Sequence, residues 1–235
     1  MATQFIRAGL TIVPLLVLGW VLAPGQNRPS PIHFAYQPID FRLENSETPK
    51  RHAPETMAGG VAVFDYNNDG HPDIFFTNGA DIDTLKKSSP KYANRLFEND
   101  GAGHFRDVTA KAGLAGSGYD MGAAAGDYDN DGREDLFVAG IHGNHLYHND
   151  GGTFTDVTAK GGLASSPDPQ YGPLWAVGAA WVDVNNDGLL DLFVVNYLAL
   201  ESGNRAHLRS GAGKARLLPS QVLQTHSKSV VPQQW

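Results

Sequence analysis

Three stretches of this chain put oxygen-bearing side chains at alternate positions and then close with a glycine and one more aspartate. They run from Asp65 to Asp73, from Asp127 to Asp135 and from Asp183 to Asp191, and share the pattern Asp-x-[Asp/Asn]-x-Asp-Gly-x-x-Asp. The oxygens come from Asp65, Asn67, Asp69 and Asp73, from Asp127, Asp129, Asp131 and Asp135, and from Asp183, Asn185, Asp187 and Asp191. His71, Arg133 and Leu189 hold position seven, where a main-chain carbonyl would add a ligand. A hard cation such as Ca2+ takes six to eight oxygens at about 2.3–2.6 Å, and a glycine at position six permits the sharp turn around it. The expectation is about three structural Ca2+ ions, the second loop binding tightest because it carries four carboxylates against three.

The flanking residues exclude an EF-hand. That motif needs a bidentate Glu at position twelve and a helix on either side. Position twelve is Phe76, Val138 and Val194, and the flanks are short apolar runs such as Gly60-Val61-Ala62-Val63-Phe64 and Asp135-Leu136-Phe137-Val138-Ala139. β-branched and aromatic runs bounded by Gly and Asn read as strands. A metal-free acidic turn would need only two or three such residues. Four oxygens and a glycine, repeated three times, exceed that need.

The repeat extends past the loops. Asn94-Arg95-Leu96-Phe97-Glu98-Asn99-Asp100-Gly101 and Asn144-His145-Leu146-Tyr147-His148-Asn149-Asp150-Gly151 each lead into a Phe-x-Asp-Val-Thr run, giving a hairpin turned at Asp-Gly. Strand, acidic loop, strand and hairpin make about four strands, the content of a propeller blade. The fold class expected is all-β, a partial β-propeller of four-stranded blades with calcium loops between strands. The loops start 62 and 56 residues apart, more than the roughly 40–50 residues of common propeller repeats. The excess maps to insertions at 81–93 and 164–173, where binding faces often lie. Gly59-Gly60 and the Gly122 to Gly126 run suit close strand packing near a propeller axis.

The 235 residues carry a net charge of −7, and ligand positions of the three loops hold ten of the 25 acidic residues. Three divalent ions would almost cancel that charge. No basic stripe points to nucleic acid. Arg7 precedes an apolar run from Ala8 to Ala23, so residues 1–24 read as either a cleaved signal peptide or an uncleaved anchor. Residues 25–56 read as a Pro-rich linker and first strand, 57–203 as two full repeat units and half of a third, and 204–235 as an irregular tail. The chain has no cysteine, so metal rather than disulfides would cross-link it. The expected location is secreted, periplasmic or cell-surface, with membrane contact only through an uncleaved N-terminal segment.

Other chemistry is thin. His142, His145 and His148 lie three apart, and on a strand such positions face opposite sides. Trp175, Trp181 and Tyr171 could line a carbohydrate surface, but aromatic residues mostly supply buried area. Carboxylate pairs of the glycosidase kind are mostly absorbed by the loops.

These motifs resemble the FG-GAP/VCBS repeats, also seen in integrin α-subunit heads. The lead-in from Pro54 to Phe64, the Asn-x-Leu-aromatic hairpins and the Phe-x-Asp-Val-Thr strands most resemble bacterial proteins similar to cartilage acidic protein, where such repeats precede an ASPIC/UnbV domain. The resemblance covers residues 34–200. It implies a secreted or surface protein, a calcium-stabilised propeller and an interaction role. The remaining blades and the ASPIC/UnbV domain are missing, and a full-length relative would supply them. Synonymous codons can be chosen for residues 217–235 that, read one nucleotide later, spell a third Asn-x-Leu-aromatic hairpin, which is compatible with a frameshifted, truncated product. The expected function is an exported, calcium-binding, non-catalytic module that contacts an extracellular protein or glycan. The competing readings are an extracellular polysaccharide hydrolase or lyase on a propeller scaffold, and a truncated product without function.

Overall fold

The computed structural model describes residues 32–163, 174–199, 221–226 and 229–233, the last two as backbone. They form three four-stranded antiparallel sheets, each with its strands paired in chain order. The first holds β1 (Val61–Phe64), β2 (Asp73–Phe76), β3 (Arg95–Asn99) and β4 (Phe105–Asp107). The second holds β5 (Asp120–Gly126), β6 (Asp135–Gly140), β7 (His145–Asn149) and β8 (Phe154–Asp156). The third holds β9 (Leu174–Val182), β10 (Asp191–Ala199), β11 (Gln221–His226) and β12 (Ser229–Gln233).

One register recurs. Phe64 pairs with Asp73, Gly126 with Asp135 and Val182 with Asp191. Each acidic stretch therefore closes the hairpin between the first two strands of its sheet, and its last aspartate begins the second strand. The third and fourth strands meet where Asn99 pairs with Phe105 and Asn149 with Phe154.

The Asp-Val-Thr motif fastens the outer edge. Thr109 donates from its N–H and hydroxyl to Asp107 at 2.9 and 2.6 Å, and its hydroxyl accepts from Leu96 N at 2.9 Å. Thr158, Asp156 and Leu146 repeat these contacts in the second sheet. After β4 the short helix α1 (Thr109–Ala112) ends on Gly113, whose φ of 79° is the left-handed turn glycine tolerates best.

Apolar side chains fill the two spaces between successive sheets. Ala62, Phe64, Tyr66 and Leu96 of the first half meet Leu136, Val138 and Tyr147 of the second sheet. Phe137, Ala139 and Leu146 meet Ala176, Leu192 and Val194 of the third. The inner strands approach so closely that glycine is required. A Cβ on Gly60 would lie 2.4 Å from Met121 O, and one on Gly122 would lie 2.6 Å from Val177 O.

Two expectations change. The tail is not wholly irregular: β11 and β12 extend β10 and complete a third sheet instead of half of one. The outer edge of β10 offers unpaired N–H and C=O groups, and an extended run such as Gln-Val-Leu-Gln-Thr-His can satisfy them. No strand forms among residues 32–56. His52 makes a lone bridge, and a 3-10 turn at Ala53–Thr56 follows. That turn is held by Glu55, which accepts from Thr48 N and Oγ1 at 2.8 Å each and contacts His52 Nδ1 at 2.5 Å. The insertion at 81–93 is tied to the sheets through Lys87. Lys87, nearly buried, donates to the carbonyls of Asn78, Gly79 and Tyr92 and pairs with buried Asp120 at 3.3 Å. The segments 1–24 and 164–173 lie outside the described residues, as does Tyr171. No described helix is long and apolar enough to cross a membrane.

Candidate metal centres

Each acidic loop is shaped by its own side chains. Asp65 accepts N–H bonds from Asp69 at 3.0 Å and Gly70 at 2.8 Å. Asp127 accepts from Asp131 and Gly132 at 3.0 and 2.9 Å, and Asp183 from Asp187 and Gly188 at 3.1 and 2.8 Å. The aspartate at position five then accepts from position seven: His71, Arg133 and Leu189 donate to Asp69, Asp131 and Asp187 at 2.8–2.9 Å. To wind this way the chain takes positive φ twice per loop. The first is an asparagine, Asn68, Asn130 or Asn186, at 57–59°, and the second a glycine at 85–86°. Asparagine and glycine are the residues that reach this region most readily.

The ninth position is different, since Asp73, Asp135 and Asp191 are buried. Their carboxylates accept from the N–H of Tyr66, Tyr128 and Val184 at 3.1–3.2 Å. Asp73 and Asp135 also accept from the hairpin residues Asn99 and Asn149 at 2.8 and 2.9 Å. Burial pushes the carboxyls of Asp73 and Asp135 up to about 6, against the pull of those N–H groups. The Gly188 N–H holds Asp183 below the usual range. Asn67 does the same for Asp69 through its side-chain amide, 2.9 Å away. A bound cation would favour the ionised form of all these groups.

The donor set fits a hard divalent cation. One oxygen from each of Asp127, Asp129 and Asp135 lies within 4.8 Å of the others. Ligands about 2.3–2.6 Å from a shared Ca2+ can be at most about 5.2 Å apart. Asp127, Asp129, Asp131 and Asp135 would hold the ion here. Asp65, Asn67, Asp69 and Asp73, and Asp183, Asn185, Asp187 and Asp191, would hold it in the other loops, where Asn67 and Asn185 bond to Asp69 and Asp187 through their amides at 2.9 and 3.0 Å.

Two nitrogen-bearing side chains at the second loop escaped sequence reasoning. Arg133 enters the expectation only through its carbonyl, yet its guanidinium contacts Asp131 and donates to Asn149 O at 2.8 Å. His148 does not join His142 and His145. Its Nδ1 lies 3.1 Å from Asp135 and 3.5 Å from Asp129, while His145 turns to Asp156 and stacks on Tyr147. His148 also groups with Asp129 and Asp131. The alternation of β7 separates the two faces, but only the third dimension puts one of them over the neighbouring loop. Trp175 is fully buried, and Trp181 stacks on Tyr128 while donating to Ala124 O at 3.1 Å, so both indoles pack between sheets.

The loops also touch one another. Asn68 Nδ2 donates to Gly132 O at 2.8 Å, and Asn130 Nδ2 to Gly188 O at 2.9 Å. Asp65 N donates to Glu134 at 3.1 Å, and Asn149 Nδ2 reaches back to Tyr66 O at 2.9 Å. The only sequence signal for this chain of contacts is the asparagine at position four of every loop.

A family model described as FG-GAP-like repeat matches the chain twice, over residues 65–138 and 127–194. Each match opens on the first aspartate of a loop and closes three residues beyond the last aspartate of the next. No curated protein matches the chain.

Proposed function

The chain belongs to the FG-GAP-like repeat family, and on that premise we propose that it is an exported, calcium-stabilised, propeller-type interaction module. One observation carries this reading: the carboxylates of Asp127, Asp129 and Asp135 converge to within 4.8 Å in the second loop, and the same internal N–H bonds recur in all three. Three Ca2+ ions, one per loop, tie the hairpin ends that the inter-loop asparagines connect. The role is structural and non-catalytic, because the acids that could have formed a catalytic pair are engaged in shaping the loops. The partner class is an extracellular protein or glycan. The lead-in from Pro54 to Phe64 supports placement near the ASPIC/UnbV group, and the apolar N-terminal run supports export.

Calorimetric titration of the calcium-free protein is expected to give three sites. Asp129→Ala should remove one and leave two. No binding, or a stoichiometry unchanged in Asp129→Ala, would overturn the assignment. A glycan array and a polysaccharide-hydrolase screen on the loaded protein separate binding from catalysis. Turnover abolished by Asp129→Ala in a protein that stays folded would favour an enzyme.

A further inference from the structure

The two end sheets carry opposite halves of the contact that joins neighbouring sheets inside the chain. Counted from the first aspartate of each loop, Phe64, Tyr66 and Thr77 of the first sheet match Val182, Val184 and Val195 of the third. Under the second sheet, Phe64, Tyr66 and Thr77 are 3%, 1% and 0% exposed, whereas the three valines are 42%, 47% and 37% exposed. Gly178 matches Gly60 and Gly122. Those two have no space for a Cβ because the next sheet's backbone lies against them, but a Cβ on Gly178 meets nothing within 4 Å. At the other end, Val61 and Val63 of β1 are 54% and 62% exposed. Their counterparts Ala123 and Ala125 pack against the first sheet. Phe41 already stacks on Phe76 of β2 at 4.5 Å, which leaves the β1 side of that face bare.

The polar groups match in the same way. Asn186 is the third of the position-four asparagines, and no described residue accepts from its amide. Gly70 is the loop glycine whose carbonyl no described residue meets, while Gly132 and Gly188 accept from Asn68 and Asn130. Asn149 Nδ2 bonds both Glu134 O in its own sheet and Tyr66 O in the preceding one. Among the described residues, the Nδ2 of its counterpart Asn99 bonds the own-sheet carbonyl, Pro72 O, at 3.0 Å and none in another sheet. The missing acceptor corresponds to Val184 O.

We propose that two copies of this chain associate head to tail, the third sheet of each docking on the first sheet of the other, to close a ring of six sheets. Asn186 of one copy then donates to Gly70 O of the second, and Asn99 of the second to Val184 O of the first. Such a contact uses two different surfaces, and it ends in a closed assembly when the rotation returns to its start. Six sheets fall within the four to eight that closed propellers hold. The apolar end faces explain the choice of a second copy, since each already has the shape and bonding pattern of the other's intrachain neighbour.

The test is sedimentation equilibrium of the full chain in calcium over about 1–100 µM, which brackets a micromolar interface. The expected mass at the upper end is twice 25.3 kDa. Val184→Asp and Val63→Lys alter exposed side chains on opposite ends, and each alone should yield only monomer with an unchanged circular dichroism spectrum. An equimolar mixture of the two restores one intact interface and should recover the dimer mass. Gly178→Val, which has room within its own chain, should also yield monomer. A wild-type chain that stays monomeric throughout, or variants that keep the dimer mass, would overturn the proposal. So would failure of the mixture to recover it, and a dimer lost in Val184→Asp but kept in Val63→Lys is the result expected if two third sheets paired face to face.

Discussion

Aspartates in these loops do two jobs, and position decides the balance. Asp65, Asp127 and Asp183 spend oxygens on N–H groups four and five residues ahead, which fixes the curve before any ion arrives. Asp73, Asp135 and Asp191 are buried and tie the loop to the sheet. At the second loop the expected advantage of a fourth carboxylate is opposed by Arg133, whose guanidinium rests on Asp131. A partly exposed pair of this kind is worth up to about 1 kcal/mol. Arg133→Gln is therefore expected to tighten calcium binding at this loop by about threefold, near 0.7 kcal/mol, as read by calorimetry. Unchanged or weaker binding would show that the guanidinium does not compete with the ion. The oxygens of Asp131 were legible in the sequence. The Arg133 contact was not, because it requires β7 to bring Asn149 O beside the loop.

The strand runs and hairpin turns are legible in the sequence, because apolar alternation and the Asn-Asp-Gly turns are local signals. The asparagine in those turns has a purpose that no local rule gives. Asn99 and Asn149 each accept from the turn N–H two residues on and donate to the main chain beside the acidic loop. The inner strands set a tight constraint at Gly122, where a Cβ would stand 2.6 Å from Val177 O and 2.7 Å from Gly178 Cα. Backbone cannot yield as a flexible side chain does, so Gly122→Ala is expected to destabilise by about 1–3 kcal/mol, the usual cost of overpacking. Gly143→Ala, with nothing within 4 Å of its Cβ, serves as the control and should leave the melting midpoint nearly unchanged. Equal effects of the two would mean that the strands can separate at little cost.

Successive sheets are joined by apolar side chains in the interior and by acidic loops at the hairpin ends, with no disulfide to help, since the chain has no cysteine. Ions that bind only the folded loops add to stability by mass action, about 2 kcal/mol per site when free calcium is about twentyfold above Kd. The melting midpoint is expected to fall on chelation and to recover on re-addition of calcium, and a midpoint indifferent to both would leave the loops without a stabilising role. The sequence by itself determined which oxygen-bearing side chains the loops carry, the strand-loop-strand order and the glycines at the turns, all of which follow from spacing within a dozen residues. Only the tertiary structure decided that β11 and β12 complete a third sheet, that Lys87 and Asp120 are buried together, that His148 faces the loop acids and that the position-four asparagines link one loop to the next. Those contacts join residues far apart in the chain, so they exist only once the strands have paired and the sheets are packed side by side.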